Sequence, residues 1–233
     1  MLYVKNLKSG YKKKLIIDDI SIKVQKGEII ALIGHNGAGK STILKTIFGL
    51  NELWAGNIIF NEKQINLNPI KNVKLGMSFL PQSDRVFYEM TVQDNLIVSS
   101  YILKKNRLTT ERLDDIYNQF PLLYKKRKIV AGKLSGGEQQ ILSICMSLIQ
   151  KPKLFLIDEP SLGLSPAMED KIFKTIGDLR NKYGMSILIV EQKVKKVLQI
   201  SDRAYVMRLG KVALEGDASY LLSTEDYKKI LVT

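Results

Sequence analysis

The chain has 233 residues, 45% of them hydrophobic, and 36 Lys and Arg against 23 Asp and Glu leave a formal charge of +13. That length and apolar content support a buried core and exclude a disordered, collagen-like or short-period repeat chain. One cysteine and one histidine exclude an intrachain disulfide, a Cys/His metal cage and any site that needs two imidazoles.

The first fifteen residues lack an apolar stretch ended by small residues, so no secretory signal is expected. No apolar run approaches the ~18 residues of a membrane span, and a soluble chain is expected. Leu2–Asn6 and Ile20–Val24 alternate as half-buried strands do, and the continuous apolar run ending at Ile33 reads as a buried strand feeding a loop at Gly34. Thr42–Leu50 has helical spacing, whereas Asn57–Phe60 and Met77–Leu80 read as strands, the second stopped by Pro81. From Gln82 to Gln150 the texture is helical: Thr91–Leu103 behind a capping box at Thr91–Asp94, Thr110–Phe120 before Pro121, and Ser135–Gln150 before Pro152. Strands at Lys153–Ile157, Met185–Val190 and Arg203–Arg208 then alternate with helices at Pro166–Lys182 and Lys193–Ile200. This alternation predicts an α/β core with a mainly parallel sheet, and the helical middle reads as an insertion into it. Cys145, in an apolar helical stretch, reads as a small core residue.

The positive charge is spread, with one excess between Tyr101 and Lys133: Lys104, Lys105, Arg107, Arg112, Lys125, Lys126, Arg127, Lys128 and Lys133 against Glu111, Asp114 and Asp115. Two readings stand, a solvated helical face, or a surface near anionic lipid or an acidic partner. A basic stripe interleaved with aromatics, as nucleic-acid binding favours, is not seen.

Three motifs carry chemistry. Gly34-His35-Asn36-Gly37-Ala38-Gly39-Lys40-Ser41 fits a phosphate-binding loop between strand and helix. Its backbone N–H groups and the positive helix end face phosphate oxygens, Lys40 reaches the β- and γ-phosphates, and Ser41 ligates Mg²⁺. In Leu154–Glu159 an apolar strand ends in two acids: Asp158 suits the Mg²⁺ shell, and Glu159 an attacking water. Leu134-Ser135-Gly136-Gly137-Glu138-Gln139 opens a helix, as a plain Ser/Gly cap or as a second anion site.

The last motif is the complete LSGGE-type signature, and with the other two it makes the chain resemble an ABC transporter ATP-binding subunit over essentially its whole length. The resemblance implies a P-loop NTPase core with an N-terminal antiparallel β part and an inserted α-helical subdomain. One domain over 1–233 is expected, with an α/β core at 1–82 and 151–233 and a helical subdomain at 83–150. It implies ATP and Mg²⁺ bound by Tyr11 (stacked on adenine rather than packed in the core), Gly34, Asn36, Gly37, Ala38, Gly39, Lys40, Ser41 and Thr42. A second ATPase subunit, the same or different, closes head to tail, its Ser135, Gly136, Gly137 and Glu138 meeting the first subunit's ATP. Gln82 reaches the Mg²⁺ and the water, and Ser161–Ser165 forms the dimer-contact loop, with Leu164 where many members carry Asp. Catalysis then falls to Glu159, Lys40, Gln82 and Gln192, with Ser41, Gln82 and Asp158 on the metal.

Gln192 stands where the family usually has a switch histidine. Because the one histidine is His35, inside the phosphate loop, Gln192 must fill that place. The Val190-Glu191-Gln192 triplet, Pro160–Leu164, Gly136–Gln140 and Arg85-Val86-Phe87 with Met90-Thr91-Val92 resemble the branched-chain amino acid importer ATPases with glutamine at the switch. Urea or amide importers share much of this pattern, and lipid or drug exporters share every ATPase motif. Two positions depart from that lineage: Gln82 where glutamate is frequent, and no arginine at Cys145–Met146. The lineage implies two membrane permease subunits, an extracytoplasmic substrate-binding protein acting indirectly, and a peripheral place on the cytoplasmic face of the membrane. A soluble, nucleic-acid-linked ABC ATPase is disfavoured by the single phosphate loop and single signature, and no specific nucleic acid partner is expected.

Overall fold

The computed structural model describes residues 1–65, 67–83, 85–101 and 106–232; Leu103, Lys104 and Lys105 lie outside them. β1 (Leu2–Tyr11) and β2 (Lys14–Val24) form an antiparallel hairpin, longer than the two segments that alternate cleanly in sequence. The cause is local. Asn6 and Asp19 take left-handed φ of 51° and 59°, the register shifts between Val4 and Leu7, and such a bulge exchanges inward and outward faces. Asn6 Nδ2 donates to Asp19 Oδ1 at 2.6 Å across it.

β3 (Ile29–Gly34) leads into α1 (Lys40–Phe48), followed by β4 (Ala55–Phe60), β5 (Lys63–Gln64), α2 (Pro69–Lys74) and β6 (Met77–Leu80). Next come α3 (Val92–Ser100), α4 (Asn106–Gln119), α5 (Pro121–Lys125), a 3₁₀ turn at Ala131–Lys133 and α6 (Gly136–Leu148). The chain closes with β7 (Leu154–Asp158), α7 (Pro166–Tyr183), β8 (Ser186–Val190), α8 (Val194–Ile200), β9 (Arg203–Arg208), β10 (Lys211–Asp217), α9 (Ala218–Thr224) and α10 (Tyr227–Val232). Among the described residues between β6 and β7 the only β pairing is the bridge Thr91–Val130. The sequence reading missed β5, β10, α2, α5, α9 and α10, mostly elements too short or too exposed to show a period. Pro121 ends the α4 ladder, as expected, but it also opens α5, where its missing N–H has no acceptor to lose. At α3 the expected capping box forms only in part. Thr91 Oγ1 accepts from Asp94 N–H at 3.1 Å but also donates to Asp94 Oδ2 at 2.6 Å, so the shorter acid takes the hydroxyl rather than the backbone.

A four-stranded sheet runs β2-β1-β4-β5 and a six-stranded sheet β10-β9-β3-β8-β7-β6, the latter parallel except for β10. β3 is buried on both faces. Ile29, Ala31 and Ile33 belong to one buried cluster, with Ile144 of α6 and Ile172 of α7, whereas Ile30 and Leu32 belong to a second, with Ile43 and Leu44 of α1 and Leu2 and Ile20 of the N-terminal sheet. At about 1.5–3 kcal/mol per fully buried aliphatic side chain, this two-sided burial explains why β3 reads as unbroken apolar sequence. α1 thereby sits between the two sheets. Cys145 is fully buried, and burial raises its thiol pKa well above the ordinary value. No helix among the described residues is long and apolar enough to cross a membrane.

Candidate active site

Four adjacent strands in the order β3-β8-β7-β6 run parallel, so their carboxyl ends gather at one edge of the sheet. Residues 35–39 follow β3, Glu191 and Gln192 follow β8, Asp158 ends β7 with Glu159 next, and Gln82 lies two residues beyond β6. Ligands bind in the crevice at the carboxyl ends of such sheets. Here that crevice is a cleft of about 400 Å³ lined by Tyr11, Ile16, Asn36, Gly37, Gly39, Lys40, Ser41, Thr42, Gln82, Glu159 and Gln192. Tyr11 is exposed on the rim and does not join the core.

Helix α1 begins at Lys40, and Gly39 before it holds φ +94°, a conformation costly for any residue with a Cβ. The first-turn N–H groups of Lys40, Ser41 and Thr42 have no helical acceptor. The Lys40 ammonium is buried and donates to the carbonyls of Gly34 at 2.8 Å and His35 at 2.9 Å. Burial pulls its pKa below the ordinary lysine value, and Glu159, Asp158 and Glu191 oppose that fall. Two expected phosphate-loop residues lie outside the cleft. Ala38 is buried and its N–H donates to His35 O at 3.1 Å. Gly34 belongs to β3 opposite Met207, where a Cβ would fall 2.6 Å from the Met207 carbonyl oxygen. Gly34 is therefore required by strand packing. Gly34→Ala is expected to lower stability by about 1–3 kcal/mol. For a chain of this size that is a fall of roughly 2–4 °C in melting temperature per kcal/mol, while binding of a fluorescent ATP analogue by the folded protein stays close to wild type. An unchanged melting temperature with weakened binding would contradict it.

The acidic pair divides its contacts. Asp158, buried at the end of β7, accepts from Ser41 Oγ at 2.8 Å. Burial pushes its pKa above the usual carboxylate value, the Ser41 bond pulls it back, and the charge of Glu159 adds to the rise. Glu159 Oε2 accepts from both Gln82 Nε2 at 2.7 Å and Gln192 Nε2 at 2.8 Å. The Gln192 amide donates and accepts but, unlike a histidine in that place, does not itself titrate.

Glu159 itself sits at φ +45°, a left-handed conformation costing a non-glycine residue about 1–3 kcal/mol. Three bonds hold this turn. Glu159 N–H donates to Val190 O at 2.9 Å, Arg85 Nη2 donates to Glu159 O at 3.2 Å, and Ser161 N–H donates to Glu191 Oε1 at 2.9 Å. The buried Glu191 carboxylate also accepts the N–H groups of Gln192 at 2.8 Å and Lys193 at 3.2 Å, so it ties the Gln192 turn to the Ser161 turn. Sequence reasoning gave no role to Glu191 or Arg85. The available signal for Glu191 was an acid directly after the apolar run Ser186–Val190, where a charge is buried only if donors surround it.

Ser135, Gly136, Gly137 and Glu138 do not line this cleft. Ser135 caps α6 in a capping box: its hydroxyl accepts from Glu138 N–H at 3.4 Å and Glu138 Oε2 accepts from Ser135 N–H at 3.1 Å. Glu138 Oε1 accepts from Lys126 Nζ at 2.6 Å, and this bond holds the carboxyl below its usual range. A Cβ on Gly137 would meet Met168 Cε at 2.5 Å, so α6 and α7 close here. Gly136 lines a separate cleft with Gln82, Arg85, Gln140 and Leu162–Leu164.

Residues 17–162 match the family model described as ABC transporter. The chain belongs to the ABC transporter family. It is an ATP-hydrolysing subunit of that family, with its α/β cassette fold. It is 40% identical, over 99% of its length and 98% of the relative's, to a probable branched-chain amino acid transport ATP-binding protein, LivF, of Archaeoglobus fulgidus. It is 37% identical, over 96% and 95%, to the high-affinity branched-chain amino acid transport ATP-binding protein BraG of Pseudomonas aeruginosa. It is 32% identical, over 99% and 96%, to the lipopolysaccharide export ATP-binding protein LptB of Haemophilus influenzae. Among solved structures, the ADP conformation of an ATP-binding cassette of an ABC transporter superposes with a TM-score of 0.87 at 28% identity, covering 99% of this chain and 97% of that one.

Proposed function

We propose that this ABC subunit powers the import of branched-chain amino acids. The observation carrying its catalytic half is the convergence on Glu159 Oε2 of the Gln82 and Gln192 amides, in the cleft that also holds Lys40 and Ser41. The substrate half is supported by the likeness to LivF and BraG over nearly the whole chain and by glutamine at the switch position.

In this reading Tyr11 stacks on adenine, the loop N–H groups and Lys40 hold the phosphates, and Glu159 takes a proton from the attacking water. Gln82 and Gln192 orient that carboxylate. The donor set suits Mg²⁺. The Ser41 hydroxyl and Asp158 carboxylate are hard oxygens 2.8 Å apart, the Gln82 amide carries a third, and the Asp158 charge is buried where a divalent ion compensates it. Bound there, Mg²⁺ would neutralise charge developing on the β- and γ-phosphate oxygens.

The signature residues Ser135, Gly136, Gly137 and Glu138 would act in trans, completing the site of a second ATPase subunit, which agrees with their lying outside this chain's own cleft. The helical segment 83–150 would pass motion to two permeases at the cytoplasmic face of the membrane, with a substrate-binding protein outside it.

A second reading, lipid export, is favoured by the full-length likeness to LptB. The experiment is purification of the subunit from its native membrane under mild detergent. A pair of long permeases with a second ATPase, and hydrolysis stimulated by binding protein loaded with leucine, is the expected result. A half-sized exporter permease and stimulation by a lipid would replace this reading with export.

A further inference from the structure

We propose that Arg85 is a positioning residue for Glu159, making the geometry of the catalytic turn depend on the placement of α6. The inference rests on Glu159 as the group that activates water.

The guanidinium spans three segments. Nε donates to Pro81 O at 3.2 Å, at the start of the turn carrying Gln82; Nη1 donates to Gln140 Oε1 in α6; and Nη2 donates to Glu159 O at 3.2 Å. A planar fork with fixed donor directions meets three acceptors at once only while the three segments hold one arrangement. Gln82 and Gln192 touch the side chain of Glu159; Arg85 touches its backbone, at the residue with φ +45°. That bond therefore bears on where the whole carboxylate points.

The α6 end of the strut is set by the arginine. The buried Gln140 amide turns its oxygen to Arg85 although its nitrogen then has no partner among the described residues. Arg85 also lies between two clefts, one shared with Gln82, Gly136 and Leu162–Leu164, the other lined by Phe79, Phe87, Ser143 and Met146. A shift of α6 against β6 and β7 changes what Nη1 meets and so loosens or tightens the hold of Nη2 on the Glu159 peptide. Partial burial, which lowers the pKa of the guanidinium, gives these bonds more weight than solvent-exposed ones would have.

The test uses the subunit assembled in its transporter. Arg85→Ala is expected to lower kcat about 10- to 100-fold, the scale of a misplacement of roughly 1 Å at a reacting group. KM for ATP and affinity for a non-hydrolysable analogue are expected to change less than about twofold, since the lost interaction serves the chemical step. Methylguanidinium in the millimolar range should restore part of kcat, because both clefts beside Arg85 are open to solvent. Arg85→Lys, a point charge without the fork, should recover little. Gln140→Met keeps the guanidinium and removes its α6 acceptor, which keeps the test decisive where the alanine variant folds poorly; a smaller fall in kcat at constant KM is expected. Unchanged kcat in both variants overturns the proposal, as does a loss of kcat matched by a rise in KM or one that methylguanidinium leaves untouched. Glu159→Gln is run alongside. If it retains turnover, the water-activating reading fails; if it is inactive while Arg85→Ala is fully active, only the positioning role fails.

Discussion

Glu159→Gln is expected to lower steady-state ATP hydrolysis by about 10²- to 10⁴-fold, the contribution of a positioned general base, while ATP binding survives. The substitution keeps size and planarity and removes the charge, so the damage falls on proton transfer and not on the cleft. Two details sharpen the expectation. Glu159 Oε2 already accepts two amide N–H groups, at 2.7 and 2.8 Å, and an amide at position 159 either keeps them on one neutral oxygen or opposes them with its own NH₂. The φ of +45° is backbone geometry, unaffected by the exchange, so the turn stays in place. Phosphate release by the assembled complex, measured beside calorimetric titration with ATP, separates the two effects. Wild-type turnover would remove Glu159 from the mechanism.

Lys40→Met should show the opposite profile, with binding itself collapsing. Lys40 Nζ is held by the carbonyls of Gly34 and His35, at 2.8 and 2.9 Å, so its charge is aimed before any phosphate arrives. Its burial, which lowers its pKa, makes the ammonium poorly hydrated without nucleotide and more responsive to an anion. Hydrogen bonds to charged groups contribute about 1.5–3 kcal/mol each. For an ammonium that bonds two phosphate oxygens, as proposed above, a loss on the order of 10²-fold or more in ATP affinity is expected, with little loss of fold, because methionine fills the stem's volume. Titration with a fluorescent ATP analogue checks it, and affinity within a few-fold of wild type would show that the loop N–H groups alone carry the binding.

Much of this was legible in the sequence because its signals are local. A strand buried on both faces must be continuously apolar, so Ile29–Gly34, Leu154–Asp158 and Ser186–Val190 announced themselves. The Gly34–Ser41 loop is defined by glycines and a lysine at fixed spacing, and the acids follow a strand directly. The first hairpin was only half visible, because left-handed residues at Asn6 and Asp19 reverse the inward face mid-strand and so destroy the period that would reveal it. The edge strand Lys211–Asp217 exposes every second residue and carries little apolar signal.

The sequence by itself determined which chemistry this chain can hold: a phosphate loop, an acidic pair, a signature turn and, with its single histidine spent at position 35, an amide at the switch. Residue type and short spacing encode the loop and the acidic pair; the signature and the switch position are what the resemblance to the ABC family implies. Only the tertiary structure decided which of these groups meet. Strand order brings Gln82, Glu159 and Gln192 onto one carboxylate oxygen and leaves Ser135 and its neighbours in a different place. It also sets Gly34 against Met207 in a strand contact and gives Glu191 and Arg85 their bonds to turns far away in sequence. Those facts depend on packing between segments as far apart in sequence as Gly34 and Met207, and no local pattern records such a contact.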